Sequence, residues 1–98
     1  MVGFLKIAVI HYRSHPTTTS QQLLEAISNL GHTPVYLKIF ELDAYIESGR
    51  IAVRRFNDEV DVEAAIVRGL GFNLSIETMM KRIGVLEALS TRSLVINN

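Results

Sequence analysis

The sequence predicts an α/β fold in which a mainly parallel, open β-sheet is packed against two helices. Three observations lead to this prediction: short apolar segments of strand length, two segments with helical periodicity, and the alternation of the two kinds along the chain. With 98 residues, of which 48% are hydrophobic, the chain has the size of one domain with a hydrophobic core.

The first strand and the first helix have the clearest signals. Residues 5–10 form a nearly continuous apolar run, typical of a strand that is covered on both faces. A polar loop leads to residues 17–20, each of which can cap a helix, and Thr18 with Gln21 or Thr19 with Gln22 predicts a capping box. Apolar residues follow at helical spacing, and Gly31 predicts the end of the helix.

Three further strands are predicted in the middle of the chain. Residues 34–40 form the second strand, and residues 62–67 form another central strand that ends at Arg68. Residues 51–56 alternate less regularly and are surrounded by arginines, which indicates an edge strand, paired in a hairpin through Ser48-Gly49.

A second helix and a last strand complete the order β-α-β-β-β-α-β, which predicts a Rossmann-like sheet. Ser75 is positioned to cap this helix, and Glu77 in its first turn favours the helix dipole. The last strand is predicted at residues 93–96. The predicted buried stripe of the helix consists of Ile76, Met79, Met80, Ile83, Leu86 and Leu89.

The last strand has no following helix to cover it, although open α/β sheets normally have one there. We therefore expect that a larger protein continues past Asn98, or that a partner supplies the cover, and a homo-oligomer is the simplest form of such a partner.

Composition excludes several classes of function. Ten basic and ten acidic side chains give zero net charge, so neither nucleic acid nor an acidic membrane is an expected partner. The chain has no cysteine, which excludes a disulfide scaffold, a thiolate zinc site and a cysteine nucleophile. The N-terminus makes a poor signal peptide, and the apolar runs are shorter than the ~20 residues of a membrane span. We expect a cytoplasmic protein.

Candidate site residues lie in three loops, because ligands of open α/β sheets bind beyond the carboxyl ends of the strands. The loops span residues 11–19, 68–74 and 97–98. The first offers polar groups and a Thr-rich helix start to a carboxylate or phosphate, and the alternative is a solvated turn with a helix cap. The candidate substrate-binding residues are Tyr12, Arg13, Arg68, Gly69, Leu70, Gly71 and Asn97.

Arg68 has the sharpest signal of these residues. An arginine that leaves a buried strand is costly without an anionic partner, and its planar fork suits carboxylates and phosphates. The glycines that follow allow the backbone to approach a ligand closely. The alternative is an ion pair of Arg68 with Glu63 or Asp61, combined with a tight turn.

Common cofactor and catalytic motifs are missing. A dinucleotide fingerprint beginning at Gly69 would need a third glycine where Leu74 stands, and no P-loop pattern occurs. His11 and His15 are four residues apart, but Pro16 removes the helix that would align them on a metal. No Ser-His-Asp arrangement is evident. We therefore predict no catalytic residue, metal or cofactor within this chain.

The segments 67–71, 80–89 and 95–98, together with residues 6–9 and 30–32, resemble the N-terminal (pre-ATP-grasp) domain of RimK-like ATP-grasp ligases. The nearest members are the archaeal glutamate ligases that act on tetrahydromethanopterin or the deazaflavin coenzyme. The resemblance covers essentially the whole chain, residues 1–98, as one pre-ATP-grasp domain.

The resemblance implies ATP-dependent carbon–nitrogen bond formation, in which a carboxylate is phosphorylated to an acyl phosphate and an amine such as glutamate displaces the phosphate. In the family, ATP and magnesium are held by two following domains, so this chain alone is expected to be inactive. Arg68, Gly69 and Gly71 would face the substrate, with Tyr12 and Arg13 opposite. The alternative function is a free-standing, non-catalytic α/β module that binds a ligand or regulates a partner.

Overall fold

The computed structural model describes residues 4–71 and 74–97, and this part of the chain contains seven strands and two α-helices. One 3₁₀ turn, Ile39–Glu41, follows the second strand. The elements in order are β1 (Lys6–His11), α1 (Thr18–Asn29), β2 (Thr33–Lys38), β3 (Leu42–Glu47), β4 (Arg50–Arg55), β5 (Asp58–Glu59), β6 (Ala64–Val67), α2 (Ile76–Ser90) and β7 (Leu94–Asn97).

Four strands form a parallel sheet in the order β2-β1-β6-β7. The apolar runs predicted as central strands supply β1 and β6, which lie side by side in the middle of this sheet. Ile10 of β1 is in register with Leu37 on one side and with Val67 on the other. The predicted α/β class and its parallel sheet are confirmed.

The other three strands form a separate antiparallel sheet in the order β3-β4-β5, which the prediction of one mainly parallel sheet did not include. The β3–β4 hairpin turns at Ser48 and Gly49, which have φ angles of 53° and 75°. Two residues suffice only for an antiparallel connection, and two positive φ angles match the twist of the strands. The hairpin at Ser48-Gly49 is thus confirmed, but β3 as a strand was missed, and the predicted edge strand is wrong because β4 lies between β3 and β5.

Both ends of α1 are closed by local hydrogen bonds. The N-cap is Thr17, whose side chain accepts a hydrogen bond from the Ser20 N–H, so the capping boxes predicted at the next two threonines are wrong. At the other end Gly31 has a φ of 88° and its N–H donates to the Ser28 carbonyl at 2.9 Å. The predicted glycine stop is confirmed, because only a residue tolerant of positive φ fits there.

Replacing Thr17 with alanine is expected to lower the free energy of unfolding by about 1 kcal/mol, because the Ser20 N–H loses its acceptor. The matched control is Thr19→Ala, which removes an exposed threonine inside α1 and leaves the cap in place. Urea unfolding of both variants measures the difference. Equal effects of the two substitutions would contradict the assignment of Thr17 as the cap.

The hydrophobic core lies between one face of the parallel sheet, α2 and the β3–β4 hairpin. The helix contributes Val85, Ala88 and Leu89, and Leu86 is only partly buried. The stripe predicted for this helix is therefore largely wrong, since Ile76, Met80 and Ile83 are exposed. The helix has apolar residues on two sides, and the hairpin packs on the side with the small residues.

The opposite face of the parallel sheet is only partly covered. Side chains alternate along β1, so Val9 and His11 point away from the face that holds Ile10. Helix α1 packs on β1 and β2 and buries Ile27. At the far edge of the sheet Leu94 and Ile96 of β7 remain 65% and 47% exposed. On this face of the sheet, helix α1 therefore covers β1 and β2 but does not reach β7.

Candidate functional site

The candidate site lies at the carboxyl ends of β1 and β6, which are neighbours in the parallel sheet. From β1 the chain continues toward β2 on one side, whereas β6 leads through α2 to β7 on the other. The two loops that leave these strands therefore diverge toward opposite edges of the sheet, and the point between them is where the topology predicts a cleft. In open α/β sheets this is the usual position of a ligand.

His11 and Arg68 lie next to each other at the floor of this cleft. The backbone N–H of Arg68 donates to the Ile10 carbonyl at 2.8 Å, which continues the pairing of β1 and β6 by one residue. His11 is 8% exposed, and its Nδ1 atom and the Nε atom of Arg68 are both buried without a hydrogen-bond partner among the described residues. Buried polar atoms are rarely left unpaired, so these two nitrogens mark a place that a ligand would complete.

The segment that follows Arg68 is held by aromatic and cationic side chains. The guanidinium of Arg82 on α2 donates a hydrogen bond to the Leu70 carbonyl. Gly69 packs beside the His11 ring, and Gly71 packs against the base of the Tyr12 side chain. The α2 helix and the loop after β1 together fix the backbone of this wall of the cleft.

The loop after β1 forms the opposite wall. The rings of His11 and Tyr12 are 4.7 Å apart, and the Arg13 guanidinium lies 5.1 Å from the centre of the Tyr12 ring. The Tyr36 hydroxyl donates to the Arg13 carbonyl at 2.7 Å, which ties the loop to β2. Burial raises the pKa of Tyr36, so this hydroxyl keeps its proton for that bond. We call the whole site the anion cleft and define it as His11, Tyr12, Arg13, residues 68–71 and Arg82.

The cleft concentrates positive charge that no carboxylate of the described chain neutralises. Arg13, Arg68 and Arg82 take part in no ion pair among the described residues, whereas five other cations pair with carboxylates elsewhere. The predicted alternative of an ion pair between Arg68 and Glu63 is not found, because that carboxylate accepts a 2.8 Å hydrogen bond from the Lys6 N–H at the other end of the sheet. Asp61 forms no ion pair with Arg68 either.

The charge state of His11 follows from this environment. Burial lowers the pKa of His11 below the usual 6.5, and the nearby charges of Arg68 and Arg13 lower it further. The neutral imidazole is therefore the stable form near neutral pH. Its contribution to stability is complete above pH 6.5 and is lost as the pH falls from there through the lowered pKa.

Six of the seven residues predicted as candidates come together in the anion cleft. Asn97 ends β7 in register with Val67, so its backbone lies at the same edge of the sheet, two strands away from β1. Asn98 and residues 72–73, which were included in the predicted loops, lie outside the described residues. The six residues that meet are Tyr12, Arg13, Arg68, Gly69, Leu70 and Gly71.

Two residues of the cleft were not among the predicted candidates. His11 belongs to the first predicted loop but was weighed individually only as a metal ligand, although its place at the end of a buried strand signals an inward-pointing side chain. Arg82 lies in the segment 80–89 that carries the family resemblance, but it was not predicted to bind a substrate. In the described part of the chain no group of three or more histidine, aspartate or glutamate residues is arranged to hold a metal ion.

The conformation at Gly71 gives a direct test of this geometry. Gly71 has a φ of 108°, and an added Cβ would meet an Arg82 nitrogen at 3.1 Å, so Gly71→Ala is expected to lower the free energy of unfolding by about 1–3 kcal/mol. The matched control is Gly84→Ala within α2, where a Cβ meets no atom within 4 Å and should stabilise the helix by about 0.5–1 kcal/mol. Chemical denaturation measures both changes. Two variants of equal stability would disprove the strained loop.

Comparison with known proteins adds no assignment. No protein-family model matches the sequence, and no curated protein is significantly similar to it. The two described helices have 12 and 15 residues, and neither is long and apolar enough to cross a membrane. The chemistry of the anion cleft is therefore the basis for assigning a function.

Proposed function

We propose that the chain binds a small molecule through a carboxylate or phosphate group in the anion cleft. The observation that carries this proposal is the pair of nitrogens, His11 Nδ1 and Arg68 Nε, that are buried at the carboxyl ends of β1 and β6 without a hydrogen-bond partner among the described residues. An oxygen anion placed between them would accept from Arg68 and neutralise charge that the protein leaves uncompensated. Hydrogen bonds between a guanidinium and an oxygen anion are about twice as strong as neutral ones.

The position of the cleft restricts the ligand to a small group at its anionic end. The floor consists of two adjacent strands, about 4.8 Å apart, and the backbone at Gly69 and Gly71 lies close to the side chains of His11, Tyr12 and Arg82. Arg13 is exposed and lies at the rim, where it can meet a second polar group of the same molecule. An amino acid or a dicarboxylate carries such a second polar group beside its first carboxylate.

We further propose that the domain serves as the substrate side of an ATP-dependent carboxylate–amine ligase. The strand order β2-β1-β6-β7 supports this proposal, since a Rossmann-like domain places its ligand at the same point of the sheet. The reaction joins a carboxylate to an amine such as glutamate through an acyl phosphate. Arg68 and His11 would hold and orient the acid, and the groups for ATP and magnesium would come from other domains.

The second candidate is a free-standing, non-catalytic α/β module that binds the same kind of anion and regulates a partner. The exposed Leu94 and Ile96 on β7 favour this candidate, because a second subunit that covers them would complete the sheet. Sedimentation of the purified chain tests this prediction. A stable dimer supports the module, and a well-behaved monomer counts against it.

Calorimetric titration with glutamate, glutarate and inorganic phosphate tests anion binding by the 98-residue chain. Binding of any of these in the micromolar to millimolar range supports the anion cleft, and heats no larger than dilution for all three would exclude it. To test the ligase proposal, the full coding sequence is expressed with ATP, magnesium, the candidate acid and hydroxylamine, which traps an acyl phosphate as a hydroxamate. A stop codon directly after Asn98 would exclude the ligase proposal and leave the free-standing, non-catalytic module as the candidate function.

A further inference from the structure

The charges that act on His11 come from two guanidiniums, those of Arg68 and Arg13. Arg68 approaches from β6 and Arg13 from the loop after β1, where the Tyr12 ring packs on the imidazole. On β2 the register partner of His11 is Lys38, whose amine lies 3.9 Å from the Glu41 carboxylate.

The helix above His11 brings no compensating charge. Glu25 is the one charged residue of α1, which packs on β1, and Glu25 is exposed. A proton added to His11 in the empty cleft would therefore meet the positive charges of Arg68 and Arg13 without an acceptor for its new N–H bond. The neutral imidazole is favoured for this reason.

A bound anion favours the protonated form of His11 over the neutral form. A neutral imidazole has one N–H and one lone pair, and Nδ1 is buried without a partner, so a lone pair there would repel an oxygen anion bound beside the ring. Protonation turns both ring nitrogens into donors, so Nδ1 then gives the oxygen a second charge-assisted hydrogen bond. The anion also offsets the repulsion between the imidazolium and the neighbouring guanidiniums.

We propose that His11 takes up a proton when an anion enters the cleft, and that His11 thereby makes the site prefer doubly charged groups of the phosphate or sulfate type. This inference rests on the proposed anion site. The proton comes from solvent, and no covalent bond forms or breaks other than the N–H bond at the imidazole. Binding and proton uptake are reciprocal, so the affinity for a permanently charged anion rises as the pH falls, by up to about tenfold per pH unit.

Sulfate is the probe of choice, because it stays doubly charged over the whole range from pH 5 to pH 8 and any proton taken up must therefore bind to the protein. Calorimetry at one pH in buffers of different ionisation enthalpy counts these protons. We expect uptake of about 0.5–1 proton per sulfate near pH 6.5. Binding without proton uptake overturns this inference and leaves the proposed anion site intact, whereas no binding of sulfate or of the carboxylate ligands overturns both.

Two variants assign the proton to His11. His11→Asn keeps a polar nitrogen near the position of Nδ1 but does not titrate, so sulfate binding should persist without proton uptake. His15→Asn removes an exposed histidine from the same loop and should behave as the wild-type chain does. Uptake that is lost in His15→Asn, or kept in His11→Asn, contradicts the proposal.

If the variants do not fold, a measurement on the unmodified chain still tests the proposal. The three histidines give three imidazole signals by NMR, and the His11 signal should titrate at higher pH when sulfate saturates the protein. The Nδ1 atom of His32 accepts a hydrogen bond from the Leu5 N–H far from the cleft, so its signal serves as the internal control. A His11 titration that sulfate leaves unchanged disproves the inference.

Discussion

Replacing Arg68 with alanine is expected to weaken anion binding by about 30-fold to several thousand-fold, which corresponds to about 2–5 kcal/mol. Arg68 supplies the buried Nε donor at the floor of the anion cleft, whereas Arg13 is exposed at its rim and Arg82 donates to the Leu70 carbonyl. Calorimetric titration of both proteins with sulfate and glutarate at pH 6.5 measures the loss. Arg68→Lys should recover only part of the affinity, because lysine keeps the charge but lacks the planar fork.

The matched control for this experiment is Arg54→Ala. Arg54 also takes part in no ion pair among the described residues, and its guanidinium lies 4.0 Å from the centre of the Tyr45 ring in the antiparallel sheet. The substitution changes the net charge by the same amount at a distance from the cleft. We expect its affinity to stay within about twofold of wild type, since charges in contact with solvent are screened over such separations. Equal losses in the two variants would mean that overall charge, rather than a site, attracts the anion.

Ile10→Ala is expected to cause the largest loss of stability, about 2–5 kcal/mol in the free energy of unfolding. Ile10 is completely buried in the central strand between β2 and β6, so truncation leaves a cavity that neighbouring strands are too constrained to fill. For a domain of this size, the loss corresponds to a fall in the melting temperature of about 4–8 °C per kcal/mol. Thermal and urea unfolding both report it.

Ile46→Ala is the control for the core substitution, because this isoleucine is 74% exposed on β3. The same deletion of atoms at the surface should change stability by less than about 0.5 kcal/mol. Arg68→Ala should also destabilise the protein less than Ile10→Ala. Leu86, which the sequence placed in the buried stripe of the second helix, is only partly buried. Similar losses at Ile10 and Ile46 would contradict the assignment of the core.

Local sequence patterns correctly predicted those elements whose ends are determined by residues close to them in the chain. The continuous apolar run of β1, the positive φ at Gly31 and the Ser75 cap of α2 all depend on interactions within a few residues. The hairpin at Ser48-Gly49 also follows from a local turn. Such features can be predicted from sequence, because backbone sterics and short-range hydrogen bonds determine them.

Packing decided the features that the sequence left open. Helix α2 has apolar residues on two sides, and Val85 rather than Ile83 became buried because the hairpin packs against that side. The same applies to β3, which pairs with β4 in a separate sheet instead of joining the parallel one. A one-dimensional pattern records which residues are apolar but not which neighbour covers them.

By itself the sequence determined that this protein has an α/β fold, a strand–loop–helix beginning, and an arginine followed by glycines at the end of a central strand. Only the tertiary structure decided that His11 and Arg82, which are far apart in the chain, meet Arg68 and its loop at one edge of the sheet. The physical reason is that a parallel sheet brings together the ends of strands separated by dozens of residues, and no local interaction encodes that meeting.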